Sequence, residues 1–116
     1  MKKYFISLAF CALSVAGCSQ SVPKCSDEET TDLVKLIANE EMINQLGAAS
    51  AKLFSYSLSA IRTTSSNEQT GAHECAAQLE FTMSETDTTQ TNEIPITYTV
   101  EMTDKGDEFY VTVFGL

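Results

Sequence analysis

The chain has 116 residues, 16 acidic against 7 basic side chains, a formal net charge of −9 and no tryptophan. That length suits one small domain. An acidic surface of this kind is repelled by phosphate backbones and anionic headgroups, which excludes nucleic-acid binding and electrostatic adsorption to an acidic membrane.

The amino-terminal residues follow the secretory pattern: Lys2 and Lys3, a largely apolar run from Tyr4 to Leu13, then small residues at Ser14, Ala16 and Gly17. The run is too short to cross a bilayer, which takes about 20 apolar residues. Val15-Ala16-Gly17-Cys18 closes the segment with a cysteine, where an ordinary cleavage site needs only small residues. This arrangement resembles the lipobox of bacterial lipoproteins, the substrates of a dedicated signal peptidase; the departure is Val15, where leucine is commonest. The resemblance implies that residues 1–17 are a leader, that the Cys18 thiol receives a diacylglycerol, and that the new amino terminus is acylated as well. Two or more acyl chains anchor a protein stably. Ser19, where the family's inner-membrane retention signal is aspartate, implies an outer-membrane address with the domain facing the periplasm.

Cleavage before Cys18 leaves 99 residues, and losing Lys2 and Lys3 takes the formal charge from −9 to −11. Residues 18–24 hold the lipidated cysteine and a short polar tether carrying Pro23, whose residues 19–24 reach about 20 Å at full stretch, and residues 25–116 form a single domain. Of the four cysteines, Cys11 leaves with the leader and Cys18 is lipidated. Cys25 and Cys75 therefore remain as an exported pair, which is expected to form a disulfide. With His73 they fall short of the four ligands of a structural zinc site, so neither metal nor cofactor is expected. His73 reads as a loop residue, and a Cys75 nucleophile served by it would need an unpaired thiol and a third group.

Ser26-Asp27-Glu28-Glu29 matches a capping box, and Leu33, Leu36, Ile37, Ile43 and Leu46 recur at helical spacing. The pattern predicts an amphipathic helix from about Asp27 to Leu46, stopped at Gly47. Its polar face carries Glu40 and Glu41 where a membrane-surface helix would want lysines, so the apolar face packs within the domain.

Four alternating segments follow. Phe54, Tyr56, Leu58 and Ala60 alternate with serines, and Thr63 to Gly71 collects turn formers. Cys75, Ala77, Leu79, Phe81 and Met83 make the clearest strand; Glu85 to Glu93 is read as a solvated loop or hairpin tip, since it carries no large apolar side chain. Ile94, Ile96, Tyr98, Val100 and Met102 alternate in a third strand whose Pro95 belongs near its start or on an edge. Asp104-Lys105-Gly106-Asp107 signals a turn into a fourth strand, Phe109 to Phe114.

One helix before four antiparallel strands buries its apolar faces only if the helix lies across the sheet. The expected class is α+β, one N-terminal helix packed on a four-stranded antiparallel sheet, a layout that resembles the cystatin-like architecture by element order alone. The expected disulfide would pin helix to sheet.

Nothing in the sequence assembles catalytic chemistry. Glu28/Glu29 and Glu40/Glu41 are adjacent on a helix and point apart, unlike carboxylates facing across a cleft. Asp104, Asp107 and Glu108 lack the 12-residue calcium-loop spacing, and phosphate loops and G-x-S-x-G are missing. The expectation is a non-enzymatic lipoprotein, anchored through Cys18, whose acidic domain binds a protein partner, as an inhibitor or immunity protein for a basic enzyme. The alternative is a structural accessory subunit of an envelope or secretion assembly. Tyr98, Tyr110 and Phe114 are the candidate partner-binding residues if their side chains lie outward together; otherwise they are core.

Overall fold

The computed structural model describes residues 2–7, 21–85 and 88–116. The lipobox, with Cys18 and the start of the tether, lies outside the described residues. In chain order the elements are β1 (Lys2–Ser7), α1 (Glu28–Leu46), the single turn α2 (Ala48–Ala51), β2 (Phe54–Ser66), β3 (His73–Glu85), β4 (Thr88–Met102) and β5 (Glu108–Phe114). The fold is α+β, with α1 packed on an antiparallel sheet of order β1-β5-β4-β3-β2. The expected four-stranded antiparallel sheet is its β2–β5 part. The fifth strand, β1, falls on the segment the sequence assigns to the leader and pairs with β5 from Lys2↔Val113 to Ser7↔Glu108.

Helix α1 begins one residue later than a capping box would place it. Asp27 is the N-cap and makes no side-chain cap bond; its carboxylate instead accepts the Lys24 backbone N–H at 2.9 Å, and its carbonyl takes the Thr30 and Thr31 amides. Ser26 therefore lies outside the cap, which corrects the capping-box reading. Glu28 and Glu29 still place negative charge at the positive end of the helix dipole. The helix stops at Gly47, whose φ of 89° is costly for any residue with a Cβ and whose N–H closes on the Ile43 carbonyl.

Two strands extend beyond their apolar stretches. Residues 88–93, read as loop, pair with β3 through Glu80↔Glu93, Thr82↔Thr91 and Glu85↔Thr88, leaving only residues 86–87 outside the described hairpin. Threonine-rich segments suit a pleated strand even with both faces wet, and Thr82 and Thr91 join their hydroxyls across it at 3.0 Å. His73, read as loop, opens β3 opposite Ser66 and Val100. Pro95 sits midway along β4, where β5 has already ended at Thr97↔Phe114, so β4 has one ladder neighbour there and the missing N–H breaks no pairing.

Strand β2 is interrupted between Ser59 and Arg62 and again between Thr63 and Ser65. At the first interruption Ala60 takes a φ of 53°, the bulge adds a residue, and Ile61 rather than Ala60 packs against the core. The core joins Leu33, Val34, Ile37 and Ala38 of α1 to Cys75, Ala77 and Leu79 of β3, Ile96, Tyr98 and Val100 of β4, and Phe109, Val111 and Val113 of β5. Complete burial of such a side chain contributes about 1.5–3 kcal/mol, so this contiguous cluster is the main source of stability. Cys25 and Cys75 are disulfide-bonded with their Cα atoms 5.8 Å apart, tying the residue just ahead of α1 to β3.

Candidate functional site

The apolar face of α1 is not fully used by the core. The helix is about 28 Å long, and its buried residues, Thr30, Leu33, Val34, Ile37 and Ala38, all lie in its first half. Leu33 and Ile37 are buried, but Leu36, Ile43 and Leu46 are 48%, 37% and 51% exposed. These three were expected on the packed face; at about 100° per residue each lies about 100° or more around the helix from the buried Thr30, Val34 and Ile37.

Under the second half of α1 lies a cavity of about 160 Å³. Ala38, Met42 and Gln45, spaced four and three apart, present one side of the helix to it. Tyr56, Leu79, Phe81 and Ile94 supply the sheet side, and Leu116 closes one end. Phe81 is held from behind by Phe54, with ring centroids 6.2 Å apart and planes at 53°. The Tyr56 hydroxyl donates to Asn39 Oδ1 at 3.4 Å, and burial pushes its pKa above the usual tyrosine value, so it stays neutral. At the rim Gln45 Nε2 donates to Glu41 Oε2 at 3.0 Å. The groove therefore offers an apolar slot for one large side chain beside a carboxylate. It contains no nucleophile and no base positioned against one.

The residues expected to meet a partner do not come together. Tyr98↔Val113 and Val100↔Val111 share the inner face of the sheet, whereas Tyr110↔Glu101 and Phe114↔Thr97 share the outer one. Tyr98 has no exposed surface, and its hydroxyl donates to the Cys25 carbonyl at 2.8 Å. This corrects the reading of Tyr98 as a partner contact: the alternation of β4 turns it under the disulfide. Tyr110 is half-buried and Phe114 is 38% exposed on the opposite face. Met42, Tyr56, Phe81 and Leu116 were not singled out as a set. The available signal was Met42, four residues beyond Ala38 on a helix already rich in apolar positions.

A second, polar cleft of about 360 Å³ lies at the β2–β3 turn, lined among others by Ser66, His73, Glu74 and Glu101. Ser66 Oγ and His73 Nδ1 are 2.9 Å apart. A hydrolytic serine needs its histidine oriented by a third group through the other ring nitrogen, and among the described residues His73 has no such hydrogen bond. The pair is a cross-strand contact beside a turn that Asn67 organises by accepting the Gln69 and Thr70 amides. Among the described residues, no three His, Cys, Asp or Glu side chains converge as a metal-ligand set, and no helix is long and apolar enough to cross a membrane.

No family model, curated protein or solved structure matches this chain.

Proposed function

We propose that this chain is an exported lipoprotein, held by acyl chains on Cys18 at the periplasmic face of an outer membrane, whose acidic domain works by binding a protein partner and not by catalysis. The partner is a basic protein, such as an enzyme that the domain inhibits or to which it confers immunity. The observation that carries this reading is the apolar groove between Met42, Tyr56, Phe81 and Leu116, set in a domain whose formal charge after leader removal is −11. A pocket for one anchoring side chain, on a domain of strongly negative net charge, supports tight and rapid association with a positively charged surface. The lipobox and the short tether support a membrane address. The order of one helix and then four antiparallel strands supports reading the domain as cystatin-like.

The test is affinity capture from the native host, with the tag inserted in the turn Asp104–Asp107 so that Leu116 stays free, alongside a Cys18→Ala control. One stoichiometric basic partner, retained at physiological salt and lost in Met42→Asp, is the expected result. Retention of abundant envelope proteins at low salt only would overturn the binding reading. Labelled palmitate incorporated by the wild type and not by Cys18→Ala checks the anchor separately.

A further inference from the structure

The two long edges of the β2–β5 sheet are built differently. Strand β2 is interrupted by two register shifts and by Ala60 at positive φ, devices that keep an edge from recruiting another strand. Strand β5 has neither: Glu-Phe-Tyr-Val-Thr-Val-Phe pairs without a break on both sides, holds no proline or lysine, and carries its one charge at Glu108. Across the turn that precedes it, the Thr103 N–H donates to the Glu108 carbonyl at 3.0 Å. The alternation of an antiparallel ladder then turns the backbone N–H and C=O groups of Phe109, Val111 and Val113 away from β4. Opposite them lie Ile6, Tyr4 and Lys2 of β1.

We propose that leader removal opens this edge, and that β5 then takes up an extended, lysine-bearing segment of a partner protein as a replacement strand, antiparallel and in the register that Lys2–Ser7 occupies. The proposal deepens the binding reading above and rests on its cleavage before Cys18. An edge with three outward amide groups and no blunting device is a template for strand addition. The described part of the tether, residues 21–24, lies elsewhere. Val22 is buried beside Gly71 in the β2–β3 turn, where a Cβ on that glycine would meet the valine at 3.1 Å, whereas β5 is three strands from β2. The choice of occupant follows from charge. The strand seated here brings Lys2 and Lys3, while a second copy of the domain would bring another −11 against −11.

The experiment uses protein purified from the membrane fraction of its own host, the Cys18→Ala precursor that keeps its leader, and a fluorescent end-blocked peptide Lys-Lys-Tyr-Phe-Ile-Ser. Intact mass first establishes whether residues 1–17 are gone. The expected result is saturable binding to the processed protein, at least about tenfold weaker binding to the precursor, whose edge is occupied, and similar weakening when both lysines become glutamates. A processed protein that ignores the peptide, or binds it no better than the precursor, overturns the edge proposal and leaves the leader reading standing. A processed protein that is dimeric by light scattering and excludes the peptide overturns the occupant in favour of a second copy. Wild-type protein that retains residues 1–17 overturns the leader reading, and this proposal with it.

Discussion

Tyr98 and Cys25 are joined by a 2.8 Å hydrogen bond from the buried phenol to the backbone carbonyl, at the residue that is also disulfide-bonded to Cys75. The sheet thus holds the segment leading into α1 twice, once through a sulfur and once through a hydroxyl. Tyr98→Phe removes the donor and leaves the Cys25 carbonyl short of a partner, at a cost of about 1–2 kcal/mol by urea denaturation.

The same phenol makes stability fall in alkali. Burial pushes the Tyr98 pKa up from 10.0 to about 12. Below pH 10 the group is neutral in folded and unfolded chains alike, and its full contribution is present. Between pH 10 and 12 the unfolded chain releases this proton while the folded one keeps it, so stability declines with rising pH by about 2 kcal/mol in total. Denaturant midpoints measured from pH 8 to 11 will show the decline, and Tyr98→Phe will flatten it; a slope unchanged by the substitution would assign it to other groups.

Reduction of Cys25–Cys75 frees a closure of 50 residues. In the chain-entropy account this costs about 4 kcal/mol, a large share of the stability of so small a domain. The double variant Cys25→Ser/Cys75→Ser will lower the urea midpoint, and a reductant will have no further effect on it.

The β3 alternation from Cys75 to Met83 was legible because each inward residue is apolar and each outward one polar or small. The pairing of 88–93 was not: Thr88, Thr89 and Thr91 carry no hydrophobic period, and the strand exists there because β3 supplies a ladder to join. Ile61 replaced Ala60 at the core through a bulge that no local pattern announces. The groove was hidden for a different reason. Leu36, Ile43 and Leu46 recur at helical spacing, but at about 100° per residue they point to a different side of α1 from Thr30, Val34 and Ile37, so spacing alone did not mark the buried face.

That separation predicts unequal costs along one helix. Ile37→Ala removes a fully buried side chain from the core and will cost about 2–5 kcal/mol. Leu46→Ala, at 51% exposure, will change stability by less than about 1 kcal/mol. Thermal or urea unfolding of the two variants checks the pair; equal losses would mean that the last turns of α1 are packed after all.

At Thr30 the fold buries a group that it does not satisfy. It has no exposed surface, and among the described residues its Oγ1 is the buried side-chain oxygen without a hydrogen-bond partner. Desolvating a hydroxyl without compensation costs about 1–3 kcal/mol. Thr30→Val keeps the branched shape, and valine and threonine have similar helix propensity, so the substitution removes that penalty without opening a cavity. It will raise stability by about 1 kcal/mol, whereas Thr30→Ala, which leaves a void, will gain less or lose. Urea midpoints of the two variants decide it: destabilisation by both would mean that a buried water or a rotated hydroxyl satisfies Thr30 in solution.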